Sequence, residues 1–215
     1  MRLPILAGLL LLVSPVLGEP SSSSGSIAHP NLQPLIARAD ALLSAGQFSD
    51  AAKTYTDAIS LSPSDYLLFY KRATAYFSLS RHPSALDDFS KVLELTSGEF
   101  DKAIMMMAKI YTREGNFAQA KTTLDTYASK VPGPPVDELM LDINEAQTAA
   151  KKASNAKRAQ LWTVCSEAAT QALRVASHST EIRRIRAECS LAGGDPQGAV
   201  VDLRQVSSIY SLLRC

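Results

Sequence analysis

Residues 39–63 read ADALLSAGQFSDAAKTYTDAISLSP, and this stretch decides the fold of the chain. Small residues at fixed positions let two helices cross closely, while aromatic side chains fill the space between them. A glycine supplies the turn between the helices and a proline ends the unit. The residues that form this pattern are Ala39, Gly46, Phe48, Ala51, Tyr55, Ala58 and Pro63.

The same pattern returns further along the chain, and its third occurrence is nearly as complete. A period of roughly 34 residues is typical of the tetratricopeptide repeat, in which each unit is a pair of antiparallel helices. One pair cannot bury its apolar face alone, so successive pairs stack into a solenoid. The sequence therefore predicts an all-α, tetratricopeptide-repeat superhelical solenoid, a fold more typical of binding than of catalysis. The third occurrence comprises Ala108, Gly115, Phe117, Ala120, Leu124, Tyr127 and Pro132.

Five repeat units are expected, in two groups. Repeats 1–3 cover residues 31–132, and the proline- and glycine-rich breaker at 132–135 follows them. Residues 133–148 are interpreted as a linker and a connecting helix, residues 149–211 as repeats 4 and 5, and residues 212–215 as the C-terminal end. Ser80 and Gln160 stand where the second and fourth units would have their turn glycine.

Residues 1–18 have the features of a secretory signal peptide. Arg2 supplies the positive start, an apolar run of suitable length extends from Ile5 to Leu17, and small residues precede a cleavage site before Glu19. Residues 19–30 are expected to be a flexible, Ser-rich linker. The predicted location is the lumen of the endoplasmic reticulum, with no membrane contact after cleavage. Secretion is the alternative, because the sequence printed here ends without a retention tetrapeptide.

Charge and motif content argue against several function classes. The 22 Lys and Arg residues nearly balance the 21 Asp and Glu residues, so no strong field favours nucleic acid. The three histidines, His29, His82 and His178, are not at helical spacing from carboxylates or cysteines. No Cys-x-x-Cys pair and no phosphate-binding glycine loop occurs in the sequence. We therefore expect no enzyme activity, no catalytic residues, no cofactor and no metal site.

Four strings resemble one family of co-chaperones. They are Ala45-Gly46-Gln47 leading to Ala51, the segment YKRATA at residues 70–75, and EIRRIRAEC at residues 181–189, followed by AVVDL at residues 199–203. Together with the signal peptide, they resemble the luminal DnaJ-family co-chaperones of the inhibitor-of-protein-kinase type, which carry tetratricopeptide repeats before a J domain. The resemblance covers nearly all of residues 31–210.

The resemblance implies that the repeats bind unfolded or misfolded luminal proteins and that a J domain delivers them to a BiP-type chaperone. The J-domain signature His-Pro-Asp does not occur in these 215 residues, since His82 and Pro83 are followed by Ser84. A BiP-type partner is therefore expected only if the full-length product contains a J domain. Unfolded client proteins are the expected partners of the repeats themselves.

The first helix of each unit should line the concave face, where residues three and four apart share one side. An apolar inner face is typical of an interaction surface, and methionine adapts to varied ligands. The client-binding residues are therefore predicted to be Ile36, Leu43, Leu67, Tyr70, Phe77, Met105 and Met106.

Two other binding functions are compatible with the repeats. A clamp for acidic C-terminal tails would need asparagines where this chain has Asp40, Thr74 and Lys109, and the signal peptide predicts a different compartment. A scaffold or adaptor for a specific folded partner in the secretory pathway is the stronger alternative, because partner identity alone separates it from a co-chaperone.

Two interpretations of Cys165 and Cys189 are open. They lie on adjacent units, so a disulfide is possible in an oxidising compartment if their Cα atoms come within about 7 Å. Cys165 would otherwise be a small buried side chain between helices, which is the interpretation that the sequence favours. The resembling family has a cysteine near the end of the fourth unit, where this chain has Ala176.

Overall fold

The computed structural model describes residues 30–213, with side chains over residues 30–207. The predicted signal peptide, and the Ser-rich linker up to residue 29, lie outside the described residues. Residues 30–213 form only α-helices and turns, which confirms the predicted all-α repeat solenoid. The helices are α1 (Leu32–Ser44), α2 (Phe48–Leu61), α3 (Tyr66–Ser78), α4 (His82–Leu95), α5 (Asp101–Glu114), α6 (Phe117–Ala128), α7 (Pro134–Arg158), α8 (Trp162–Val175), α9 (Thr180–Ala192) and α10 (Pro196–Leu213).

Several helices begin and end where the local sequence requires it. The side chains of Asp65 and Ser179 accept hydrogen bonds from the backbone N–H groups of Leu67 and Ile182, which caps the starts of α3 and α9. Gly115 ends α5 in the left-handed conformation, with a φ of 78°. Consecutive helices are therefore separated by short turns and lie side by side.

The two turns that lack glycine keep the same backbone conformation. Ser80 and Gln160 both have a φ of 58°, in the left-handed region where Gly46 and Gly115 also lie. A residue with a side chain adopts this region at a cost of about 1 kcal/mol or more. The repeat geometry therefore persists in the second and fourth units, although its preferred turn residue is missing.

Proline and glycine separate two groups of helices, which we name the first array (α1–α6) and the second array (α7–α10). The 25-residue helix α7 starts at Pro134 and runs without interruption through the predicted connecting helix and into the fourth unit. One hydrophobic cluster contains Phe117 and Leu124 of the first array together with Ile143 and Ile185 of the second. Helices α5 and α6 therefore share one core with the second array.

The two arrays repeat one buried polar arrangement. In the first array, the Arg72 guanidinium donates to both carboxylate oxygens of Asp88, at 2.8 and 2.7 Å, and to the Thr56 hydroxyl. In the second array, a second arginine donates to an aspartate and a threonine at the same sequence spacings of 16 residues. The second set comprises Thr170, Arg186 and Asp202.

Each residue of α2–α4 therefore corresponds to a residue of α8–α10 that lies a constant number of positions further along the sequence. The same shift pairs Ala39 of α1 with Ala153 in the second half of α7, and both residues are fully buried. The end of α7 thus serves as the first helix of the fourth unit. This correspondence gives the inner-face positions of α1 and α3 counterparts in α7 and α9.

The turn at Gly115 predicts a graded response to alanine. A Cβ atom at Gly115 would lie 2.6 Å from Ser179 Oγ and 2.9 Å from Ser179 Cβ, whereas a Cβ atom at Gly46 would meet nothing within 4 Å. Both glycines have a similar positive φ, so Gly46→Ala should cost about 1 kcal/mol of unfolding free energy from backbone conformation alone. Gly115→Ala should cost clearly more in urea denaturation, because the α8–α9 turn must also move. Equal losses in the two variants would contradict this contact.

None of the described helices combines the length and the apolar character needed to cross a membrane.

Candidate functional site

The inner face of the first array is lined by the first helices of its units. Asp40 of α1 meets Lys71 of α3 there, with Lys71 Nζ 2.8 Å from both carboxylate oxygens. The predicted client-binding residues belong to this face by repeat register, and all of them except Met105 are partly buried or exposed. We name this set the apolar groove: Ile36, Leu43, Leu67, Tyr70, Phe77 and Met106.

Tyr70 is held in the groove by other aromatic rings. Its ring lies 5.0 Å from Phe100 and 5.8 Å from Phe89, and Tyr66 contacts Phe100 from the neighbouring side at 5.3 Å. Edge-to-face contacts at these distances are favourable and fix ring orientation. Burial raises the pKa of the Tyr70 hydroxyl, so the side chain is neutral at physiological pH. The groove therefore has a rigid aromatic wall.

Leu67 is the most exposed member of the apolar groove, with 43% of its surface accessible. It lies near the start of α3, one turn before Tyr70, so both side chains share a face of the helix. A leucine that is accessible beside ordered aromatic rings can be covered by a ligand without any rearrangement of the helix. Leu67 is consequently the best single residue at which to test binding.

Phe77 closes one end of the groove and is packed on both sides. Its ring stacks on His82 with 6.0 Å between centroids, and the Arg113 guanidinium lies 4.5 Å from the centre of its ring. This distance is within the range of a cation–π interaction. Phe77 is thus a structural part of the groove wall and less available to a ligand than Leu67.

Met105 is a correction to the sequence prediction. Only 9% of its surface is accessible, and it belongs to the hydrophobic cluster that joins α5 and α6 to α7, α8 and α9. Met105 thus packs in the core that α5 and α6 share with the second array, although the repeat register predicted an inner-face position. The neighbouring Met106 remains partly buried against the cluster around Phe69 and Phe89.

A polar contact lies beside the groove at Asp40. The Tyr55 hydroxyl donates to Asp40 at 2.6 Å, in addition to the two contacts from Lys71. Burial alone would raise the pKa of Asp40, but the hydrogen bonds from Lys71 and Tyr55 outweigh this effect and lower it. A carboxylate held in its charged form here repels an acidic tail, and so the site does not suit a carboxylate clamp.

The inner face of the second array differs in chemistry although its helices correspond. The counterparts of Tyr70 and Thr74 are Arg184 and Glu188, whose side chains are 3.2 Å apart, and Lys157 of α7 also pairs with Glu188. Leu191, the counterpart of Phe77, is 61% exposed and stands among these charges. The continuous apolar surface is therefore confined to the first array.

The structure joins Cys165 to Cys189 by a disulfide, with 6.0 Å between their Cα atoms. Both residues are fully buried, and the bridge links α8 to α9. It replaces the interpretation of Cys165 as a small unbonded side chain. The corresponding residues of the first array are Ala51 and Ala75, which are also fully buried. The bridge thus occupies a place where the fold accepts small side chains.

Two features of this region were missed by the sequence analysis. Phe100 immediately precedes α5 and lies outside the helical register, yet it contacts Tyr66 and Tyr70. His82 and His178, for which the sequence predicts no contact, have ring centroids 4.7 Å apart. A search for aromatic residues next to repeat turns could have found Phe100, but no local signal predicts the histidine contact.

The sequence is similar to known tetratricopeptide-repeat proteins. Two family models described as tetratricopeptide repeat match residues 36–100 and 102–133. The chain is 37% identical over 207 residues to the tetratricopeptide repeat and J domain-containing co-chaperone DNJ1 of Cryptococcus neoformans, covering 96% of this chain and 38% of that protein. It is 27% identical over 172 residues to human DnaJ homolog subfamily C member 3, covering 78% of this chain and 34% of that protein.

The fold comparison agrees with the sequence comparison. The crystal structure of the P58(IPK) TPR domain superposes with a TM-score of 0.69 at 24% identity, covering 83% of this chain and 51% of that one. The chain is therefore homologous to co-chaperones that combine tetratricopeptide repeats with a J domain. It spans a little over a third of the length of the curated relatives described above.

Proposed function

We propose that this homologue of tetratricopeptide-repeat and J-domain co-chaperones binds unfolded or misfolded proteins through the apolar groove. The observation that carries the proposal is the contrast between the arrays. Corresponding inner-face positions are apolar in the first array, at Leu67 and Tyr70, and charged in the second, at Glu181 and Arg184. A solvated inner face would need no apolar side chains, whereas apolar surface exposed beside ordered rings is typical of an interaction site.

The groove suits extended apolar segments of varied sequence. Its rigid wall comes from Tyr70 and Phe100, its accessible surface from Leu67, and its adaptable part from Met106. Methionine fits differently shaped partners because its side chain is flexible and polarizable. Such a surface recognises exposed apolar side chains more than a particular sequence. Exposed apolar side chains are what different unfolded clients have in common.

The compartment that we propose is the lumen of the endoplasmic reticulum. The signal-like residues 1–18 support it, and so does the disulfide between Cys165 and Cys189, because disulfides persist in oxidising compartments. The name of the Cryptococcus neoformans relative includes a J domain. In a full-length product with such a domain, the bound client would pass to a BiP-type chaperone.

The direct test is suppression of aggregation. Residues 19–215 are purified in oxidised form and mixed with a reduced, unfolded secretory protein, without ATP or another chaperone, while light scattering is followed. We expect suppression at a near-stoichiometric ratio. If a well-folded helical sample leaves scattering unchanged, the groove does not bind unfolded clients and the scaffold for a specific folded partner becomes the better interpretation.

The groove itself is tested by changing Leu67 and Met106 to serine together. Because Leu67 is largely accessible and Met106 only partly buried, the double variant should keep its helical circular dichroism and lose most of its suppression. Each lost leucine or methionine contact removes about 1.5–3 kcal/mol of burial with a client. The matched control is Leu191→Ser, which removes an even more exposed leucine from the charged inner face of the second array. Equal losses of suppression in both variants would argue against the apolar groove.

A further inference from the structure

The turn between α8 and α9 belongs to the second array and contacts the first. The backbone N–H of His178 donates to the carbonyl of Arg113 at 2.8 Å, and His178 Nε2 lies 3.1 Å from the hydroxyl of Ser80. The close approach of Gly115 to Ser179 belongs to the same contact. Ser80 and His178, which are 98 positions apart in the chain, are therefore joined by a side-chain hydrogen bond, and His178 and Arg113 by a backbone one.

His82 lies beneath this contact and is almost completely buried, at 3% exposure. Its Nδ1 is 3.3 Å from a carboxylate oxygen of Glu114, and its Nε2 has no hydrogen-bond partner among the described residues. The ring of His178 is 4.7 Å from that of His82. His82 thus contacts Phe77 of the first array and His178 of the second.

Mostly positive groups face the two histidines. Arg113 and Glu114 approach from the end of α5, Arg183 from α9, and the histidines face each other from α4 and the α8–α9 turn. Burial lowers the pKa of His178, and His82, Arg113 and Arg183 lower it further, while Glu114 raises it. One carboxylate thus faces two arginines and two imidazole rings.

We propose that this contact, the histidine clasp formed by Ser80, His82 and His178, holds the two arrays together at neutral pH and opens when His178 takes up a proton. Closing disfavours the protonated form of His178, so the clasp has its full strength above the ordinary histidine pKa of about 6.5. It weakens as the pH falls through that value towards the lowered pKa of the closed form.

The clasp also closes one end of the apolar groove, because Phe77 stacks on His82. Opening would take His178 away from His82, the ring on which Phe77 stacks, and would change the angle between the arrays. This link to the groove rests on the proposed function, whereas the clasp is measured independently of any client.

Hydrogen exchange followed by mass spectrometry tests the clasp in the full chain. Exchange is measured at about pH 7.5 and about pH 5.5 and corrected for the intrinsic effect of pH. We expect protection of residues 110–116 and 176–182 to fall by roughly tenfold at the lower pH, while α2 and α8 keep theirs. Unchanged protection in the two segments would overturn the proposal. An equal loss throughout the chain would also overturn it, because it would indicate general acid unfolding.

The variant His178→Gln separates titration from packing. Glutamine can still donate to the hydroxyl of Ser80 but does not take up a proton, so the drop in protection should shrink to less than about threefold. The control His29→Gln removes the third histidine of the sequence and should leave the tenfold drop in place. A full pH response in His178→Gln would contradict the assignment to this residue.

Discussion

Replacing Asp88 with alanine should lower the free energy of unfolding by about 3–5 kcal/mol, one of the two largest effects expected for a single site or pair in this chain. Asp88 is buried, and both of its carboxylate oxygens accept hydrogen bonds from Arg72, whose side chain is 16% exposed. The alanine variant leaves the guanidinium inside the first array without its counter-charge. Urea denaturation followed by circular dichroism measures the loss.

Two further variants show whether the stranded charge is the cause. The double variant Arg72→Met with Asp88→Leu removes both partners and should recover most of the stability, since replacing a buried pair by apolar residues is often neutral or stabilising. Asp202→Ala tests the corresponding pair in the second array, where Arg186 donates to both carboxylate oxygens. A loss below about 1 kcal/mol in Asp88→Ala would mean that Arg72 reaches water and that the pair behaves as a surface ion pair.

Replacing Cys165 and Cys189 together with alanine should cost about 3 kcal/mol, again measured by urea denaturation. The bridge closes a loop with a sequence separation of 24, which restricts the unfolded chain. Ala51 and Ala75 occupy the corresponding places in the first array, so alanine fits the packing and the helices should remain intact.

Reduction provides the control for the cysteine variant. Wild-type protein treated with dithiothreitol should lose a similar amount of stability, while the alanine variant should not respond to the reductant. If oxidised wild type and the double-alanine variant unfold at the same urea concentration, the bridge does not stabilise this fold.

The sequence predicts the repeat architecture well because its determinants are local. Small residues such as Ala39 and Ala108 are fully buried where the pattern requires close helix contact. The turn positions are also predictable, and even Ser80 and Gln160 adopt the conformation of the glycine that they replace. Each of these features depends on residues within one helix pair or between neighbouring pairs.

Contacts across the junction of the arrays could not be predicted in this way. Met105 follows the inner-face register, yet it is buried in the cluster that α5 and α6 share with α7–α9. His82 and His178 meet for the same reason, since the α8–α9 turn comes back onto the ends of first-array helices. Repeat periodicity describes how neighbouring units stack but does not give the angle after the break at Pro132–Pro135.

The groove is an intermediate case. Repeat register predicts the face to which Leu67 and Tyr70 belong, because residues three apart on one helix share a side. It does not predict that Phe100 supports Tyr70, or that Phe77 is held between His82 and Arg113. The exposure of Leu67, which makes it the best residue at which to test binding, is therefore known only from the structure.

Site-specific photo-crosslinking tests the central claim most directly. A benzophenone amino acid is placed at Leu67 in one variant and at Leu191 in another, two exposed positions on the inner faces of the two arrays. Each variant is irradiated with a reduced, unfolded secretory protein, and crosslinked products are quantified by gel and mass spectrometry. Binding in the apolar groove predicts strong crosslinks from position 67 and few from position 191. Equal yields from both positions, or a higher yield from position 191, would contradict it.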